Sequence, residues 1–314
     1  MQLLRLFARR VALGLVAAWG VLTTVFLLFT ATDDWALRGL VGRLRYARVD
    51  EATIDRRREA YFAARGLDRP LHEQYLDWMT DMLTLRWGTS FTIGEPAFDL
   101  VVAAVGRTAM YVLPAIVVAL CVGIAIGVYA ALTPDGWLAS AGLGSAYLWF
   151  AVPNVWLGGL LFSATLDDTL GYSALLFEHV LPIVLVASTL VGGYASYARA
   201  HALEYVSAEF VTLLRAKGAG RLRIAIHVVR NAAIPLLSMV FTEALALLVL
   251  DVFVVEALFG IDGFGVLLIE AVEGRDLPVL LGGTMVVVAG GVAGNLFQDL
   301  SYGLLDPRVD AGSR

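Results

Sequence analysis

EYVSAEFVTLLRAKGAGRLRIAIHVVRNAAIP, residues 204–235, is the stretch on which the reading of this chain turns. Counted from Arg199 just upstream, it carries six of the 23 Lys and Arg residues, among them Lys217, the only lysine. Apolar runs flank it, residues 180–198 before and 232–259 at its end. A basic, helix-prone segment held between two membrane spans is a water-exposed surface offered to a partner. Residues 209–215 are helix-compatible, Gly218 and Gly220 break the helix, and a second helix carries Arg221, Arg223 and Arg230 toward Asn231 and Pro235. Charge alone favours contact with lipid phosphates, at about 1 kcal/mol per base near an anionic surface.

Outward from this stretch the composition is that of an integral membrane protein. Hydrophobic residues make up 59% of the 314, and only 16% are charged, against about 25% in soluble proteins. Mean hydropathy is +0.76. Six apolar runs are long enough to cross a bilayer, for which about 20 helical residues suffice. They cover 11–29, 108–132, 137–166, 180–198, 232–259 and 277–298. The fifth is interrupted by Glu243, Asp251 and Glu256. Arg5, Arg9 and Arg10 precede the first run, whose 19 uncharged residues exceed the roughly 7–15 of a signal-peptide core. It is expected to be a retained helix. Pro114, Pro153, Pro182 and Pro235 fall in or beside these runs, which membrane helices tolerate where neighbours satisfy the freed carbonyls. Gly123-x3-Gly127 and Gly290-x3-Gly294 permit close helix approach and are read as packing.

Six spans place both termini on one side, and the positive-inside rule identifies it. The N-terminal tail, the 133–136 turn, the 199–230 loop and the C-terminal tail hold 11 Lys and Arg together, whereas the loops 167–179 and 260–276 hold only Arg275. The 77-residue segment 31–107 exceeds the roughly 60-residue limit of the rule. The termini and the basic loop are therefore expected to be cytoplasmic and 31–107 external. The expected organisation is a tail with span 1 (1–30), the external segment (31–107), a five-helix core (108–305) with the basic loop at 199–233, and a tail (306–314). Within the segment, 50–65 reads as a charged helix ended by Gly66, and Leu71, Tyr75, Trp78, Met82 and Leu85 repeat at helical spacing. That stripe suits either a small cap packed on the membrane face or a docking surface for an external partner.

Several chemistries are excluded. A P-loop needs Gly-Lys followed by Ser or Thr, but Lys217 is followed by Gly218. His72-Glu73 opens like a zinc-protease motif, yet position 76 is leucine. The four histidines show no ligand spacing, the single Cys121 excludes a disulfide framework, and no Gly-x-Ser-x-Gly elbow is present. No catalytic residue, metal or bound cofactor is expected, and nothing points to nucleic acid.

The order of residue types in the basic loop resembles the cytoplasmic "EAA" loop of ABC-importer permeases of the dipeptide, oligopeptide and nickel group. The matching residues are Glu209-Phe210-Val211, Leu214-Arg215-Ala216-Lys217-Gly218 and Arg230-Asn231-Ala232-Ala233-Ile234-Pro235, with Arg199 and Glu204 upstream. Gly66-Leu67-Asp68-Arg69-Pro70-Leu71, Trp87-Gly88-Thr89-Ser90, Glu256-x-x-Phe259, Arg275-Asp276-x-Pro278 and Leu305-Asp306-Pro307-Arg308 are also similar to the group's segments. Thr30 to Asp34 lacks the Pro-Gly-Asp-Pro-like end of the group's first helix.

The resemblance implies an all-α membrane protein with the six-helix type I importer core. A short coupling helix, about 212–222, would sit on a separate ABC ATPase subunit that binds ATP and Mg. Glu209, Leu214, Arg215, Ala216, Lys217, Gly218, Arg221 and Arg223 would form the coupling patch. A second related permease, or a copy of this chain, and an external substrate-binding protein complete the implied partners. For the substrate path, Glu243 and Asp251 lie about 80° apart around a helix and roughly 12 Å along it. Ionisable groups in a span mark functional sites or pair with a neighbouring span. Pro153 and Asn154 are the second candidates. A secondary transporter driven by an ion gradient, with Glu243 and Asp251 as its relays, is the rival class, and the inverted repeats of many such proteins are not visible here.

Overall fold

The computed structural model describes residues 2–166, 173 and 175–305, and their side chains except 2–7, 165, 166, 233–235, 237–251 and 297–305. The tail expected at 306–314 lies outside the described residues. Helices dominate, and among the described residues the only β pairing is an isolated bridge between Thr89 and Pro96. In order they are α1 (Gln2–Ala31), α2 (Trp35–Tyr46), α3 (Glu51–Arg65), α4 (Leu71–Leu83), α5 (Ala97–Leu132), α6 (Trp137–Ala151), α7 (Asn154–Leu166), a π-helical turn (Leu175–Val180), α8 (Leu181–Val206), α9 (Glu209–Ala216), α10 (Arg221–Phe259), α11 (Phe264–Glu273) and α12 (Leu277–Leu305). Four helical stretches among the described residues are long and apolar enough to cross a membrane, and two bent helix pairs raise the number to six. The all-α, multi-span reading holds.

Two expectations need correction. The third span is not one straight helix: α6 and α7 meet at 83°, because Pro153 lacks the N–H that would continue the ladder and disfavours helical backbone at Val152. The loop expected at 260–276 contains α11. The expected apolar stripe of α4 holds at its centre, where Tyr75 and Trp78 pack on the core beside Met82. Met79 and Met82 are its buried apolar residues, together with Gln74, while Leu71 and Leu85 are exposed. Gln74 is held there by donating to Arg69 O at 2.7 Å.

Two compact units group the chain by contact. One comprises residues 9–106 and 263–290. Its core joins Leu22 and Phe26 of α1 to Met82, Trp87, Val101, Phe264, Leu277 and Leu281. The charged helix α3 forms as expected, N-capped by Asp50 and closed by Gly66 at φ 63°. Its Tyr61 donates to Asp34 at 2.9 Å, and Asp34 N-caps α2 by accepting from Leu37 N at 2.8 Å.

Arg275 organises this unit. It is 5% exposed and donates to Phe29 O at 2.5 Å, Asp33 O at 2.8 Å and Thr32 Oγ1 at 3.1 Å. Its guanidinium stacks 4.2 Å from the Phe29 ring and lies 3.7 Å from Asp34. A cation at the carbonyl end of α1 meets the negative end of the helix dipole. Beside it, buried Asp276 accepts from Ser90 Oγ at 2.5 Å, Thr92 Oγ1 at 2.9 Å and Thr92 N at 3.1 Å.

The other unit comprises the described residues within 1–8, 107–262 and 291–305. Gly123 and Gly127 lay α5 directly on α8: a Cβ at Gly127 would overlap Ala195 O and sit 2.8 Å from Ala198 Cβ and Arg199 N. The first glycine pair is thus packing, as read from its spacing.

Arg275→Met is expected to cost about 3–5 kcal/mol, as for breaking a buried ion pair from one side. Arg38→Met, whose partner Asp33 is exposed, should cost at most about 1 kcal/mol. Thermal midpoints of the purified full chain in mild detergent compare them, and equal losses would remove Arg275 from its organising role. Burial pushes the Tyr61 phenol up to about 12, the Asp34 hydrogen bond adding to the shift and Arg65 opposing it. The stability Tyr61 contributes is therefore full below pH 10 and lost between about 10 and 12, as the unfolded phenol ionises first. Subtracting the phenolate absorbance titration of Tyr61→Phe from that of the wild type should leave a component centred near pH 12. A component near 10 would contradict the buried geometry.

Candidate functional site

The basic loop folds as a helix, a turn and a helix. α8 ends at Val206, α9 spans Glu209–Ala216, and α10 starts at Arg221. The helix expected at 212–222 is therefore displaced: it starts at Glu209, and the glycines the sequence marked as breakers end it before 217. The C-terminal turn is a Schellman motif. Ala219 N donates to Leu214 O at 3.0 Å and Gly218 N to Arg215 O at 2.9 Å. Gly218 has φ +75°, and a Cβ there would meet nothing within 4 Å. Backbone angle, not lack of space, calls for glycine at this position.

One face of α9 is locked to the helices beneath. Val211 is fully buried and packs with Val128, Ala131, Ala202, Ile224 and Val228, while Phe210, Leu214 and Ala219 rest on the same cluster. Those partners come from α5, α8 and α10, so α9 cannot move without them. The other face is open. Glu209, Arg215, Ala216, Lys217, Gly218, Arg221 and Arg223 are exposed, and the five charged side chains among them make no ion pair or hydrogen bond among the described residues. Leu213 is 55% and Leu222 76% exposed beside them. Of the predicted patch, only Leu214 turns inward. Arg199 belongs beneath, not within, the patch: its Nε is buried without a partner among the described residues.

α10 continues for 39 residues, roughly 58 Å at 1.5 Å each. Its far end is tied to α5. Glu256 is fully buried and accepts from Thr108 Oγ1 at 2.5 Å and Tyr111 OH at 3.0 Å. Arg107 donates to Asp262 O at 2.5 Å nearby. Sequence reasoning counted Glu256 as an interruption of a span and as part of the Glu256-x-x-Phe259 match, without assigning it partners. An acid inside an apolar run was the signal, because such a group needs partners.

The proposed substrate-path residues are not brought together by the described structure. Glu243 and Asp251 lie on the α10 backbone, but their side chains fall outside the described residues. Asn154 opens α7 beside the Pro153 break and is 8% exposed. Its Nδ2 donates to Thr189 Oγ1 at 3.3 Å. The Thr189 hydroxyl gives its own proton to Val186 O at 2.9 Å. The Asn154 atom facing it is therefore the amide donor, which leaves Oδ1 buried without a partner among the described residues. An orphaned buried acceptor costs about 1–3 kcal/mol.

The family described as binding-protein-dependent transport system inner membrane component matches residues 123–311. A putative peptide transport system permease protein of Brucella abortus is 31% identical over 260 residues, 78% of this chain and 82% of its own. The oligopeptide transport system permease protein AppB of Bacillus subtilis is 28% identical over 269 residues, covering 81% of this chain and 85% of the relative. The dipeptide transport system permease protein DppB of the same organism is 27% identical over 299 residues, 93% and 95% of the two chains.

Gly218→Val places a branched side chain at positive φ and should cost about 1–2 kcal/mol at the α9 turn. Gly218→Asn, which tolerates this region, should cost clearly less. Hydrogen exchange of the 209–219 amides reads the difference, and equal protection in the two variants would show that the left-handed turn is not required.

Proposed function

The chain belongs to the family of binding-protein-dependent transport system inner membrane components, and on that premise we propose that it passes peptides and is driven through α9 by a separate ATPase. It is the membrane-spanning permease subunit of an ABC importer. The names of its relatives support peptides as cargo, since they include an oligopeptide and a dipeptide permease. The basic loop and both termini face the cytoplasm in this reading, supported by the Lys and Arg count of the short loops. Residues 31–107 face outward, where a substrate-binding protein delivers cargo. The transport path is completed by a second, related permease or by another copy of this chain.

The observation that carries the coupling is the set of unpaired charges on a helix whose other face is locked into the helix bundle. ATP and Mg are bound by the partner, not by this chain. Closure of the ATPase dimer displaces α9, and the cluster around Val211 passes the displacement to α5, α8 and α10. α10 is anchored to α5 at Glu256, so motion at its start tilts the helix as one body, changing which side of the membrane the path opens to. Glu243, Asp251, Pro153 and Asn154 line that path. The unpartnered Asn154 Oδ1 supports this, because a hydrated path or a passing N–H donor supplies the hydrogen bond the protein withholds.

Co-purification in mild detergent tests the coupling. Wild type is expected to retain an ATPase subunit, and Arg215→Glu with Lys217→Glu to lose it while eluting as a folded protein. ATPase retained by both would refute the α9 patch. Uptake that persists without ATP and collapses with the ion gradient would restore the secondary-transport reading.

A further inference from the structure

Beside the α9 turn, α5 and α10 enclose an open groove of about 680 Å³. Its floor is apolar: Ile124, Val128 and Leu132 from α5, and Leu222, Ile226 and Val229 from α10. Leu222 is 76% and Ile226 60% exposed, more than a water-facing surface ordinarily leaves in one stripe. Arg221 and Arg230 also line the groove. At about 100° per residue, the apolar positions of α10 fall between these two arginines, which stand on opposite flanks of the stripe. Both are exposed, and neither makes an ion pair or hydrogen bond among the described residues.

We propose that this groove binds one anionic phospholipid, with an acyl chain along the apolar floor, the phosphate on Arg221 beside the turn and Arg230 adding positive charge on the opposite flank. The groove makes two demands at once, cover for an apolar floor and an anion for its rims. A soluble anion meets only the second. An apolar helix meets only the first, and the same face of another copy would set arginine against arginine. A phospholipid meets both, and basic pockets between spans at the cytoplasmic leaflet are suited to anionic headgroups. The leaflet assignment rests on the orientation proposed above. The groove itself does not depend on the cargo or on the ATPase, so this inference and the coupling reading can fail separately.

The test is lipid retention by the purified full chain in mild detergent, counted by native mass spectrometry after exposure to phosphatidylglycerol or to phosphatidylcholine with the same acyl chains. Phosphatidylglycerol should be retained at least fivefold better, the factor corresponding to about 1 kcal/mol for one base. Arg221→Gln with Arg230→Gln should bring it down to the phosphatidylcholine level. Ala125→Trp, which fills the groove, should remove both lipids, with elution and helix content as in wild type. Equal retention of the two lipids by wild type, or phosphatidylglycerol retention unchanged in both variants, would overturn the proposal. Displacement of phosphatidylglycerol by inorganic phosphate would overturn it too, in favour of a simple anion site. Ile226→Cys in a Cys121→Ser background that forms a disulfide-linked dimer equally with and without phosphatidylglycerol would assign the groove to a second copy.

Discussion

A helix leaves its last four carbonyls without partners where it ends, and side chains, following amides or water must supply them. This constraint accounts for the residues that look out of place in so apolar a chain. Arg275, buried and at positive φ, takes the carbonyls released at the end of α1. Asp276 takes the hydroxyls and one amide of the turn around Ser90. Gly218 lets α9 fold its last carbonyls onto its own following amides. At Gly260, φ +65°, Ile261 N returns to Glu256 O at 3.0 Å in the same manner. These charged and glycine residues sit at helix ends, whereas Gly123, Gly127 and Glu256 serve contacts between the spans themselves.

Packing then decides what moves together. Gly123 and Gly127 bring α5 into backbone contact with α8, leaving no room for side chains to slide between them. The cluster around Val211 fixes α9 to both helices and to α10. Dispersion contacts are individually weak, but a close-packed interface has few alternative arrangements. A displacement at α9 is therefore carried by whole helices rather than absorbed by side chains. The break at Pro153 is the exception. There an 83° bend and an orphaned Asn154 acceptor interrupt a span in the same unit, and local rearrangement is cheapest where the hydrogen-bond ladder is already open.

The first, second, fourth and sixth spans were legible because they depend on uninterrupted apolar length, a property local to the sequence. The α3 boundaries were legible for a similar reason, with Asp50 and Gly66 supplying the chemistry of both caps within the helix itself. The coupling turn was half legible. Gly218 and Gly220 announced a break, but drawing a helix through them to 222 ignored that the left-handed glycine ends a helix instead of bending it. The roles of Arg275, Asp276 and Glu256 were not legible. Their partners lie 145 to 246 positions away, and no periodicity reports contacts of that range. Resemblance flagged the motifs Trp87-Gly88-Thr89-Ser90 and Arg275-Asp276 separately. Only the fold shows that Asp276 holds Ser90 in place.

The charges of α9 and of the first turns of α10 fall into two sets. Arg215 and Lys217 belong to α9 and its turn, and Arg223, about 20° around α10 from Arg230, is not among the residues that line the groove. These three share no surface with the groove floor. Arg230 flanks the groove and lies nine residues beyond the start of α10, roughly 13.5 Å along its axis from the turn. Arg221 alone stands at the boundary, next to the Schellman turn and on the groove's rim. A lipid phosphate on Arg221 and an ATPase carboxylate on the same side chain would compete, so occupancy of the groove would weaken one contact of the coupling patch and leave Arg215 and Lys217 untouched. One basic loop can in this way serve two anionic neighbours, because the glycine turn sets the charges of α9 and those of α10 on different faces.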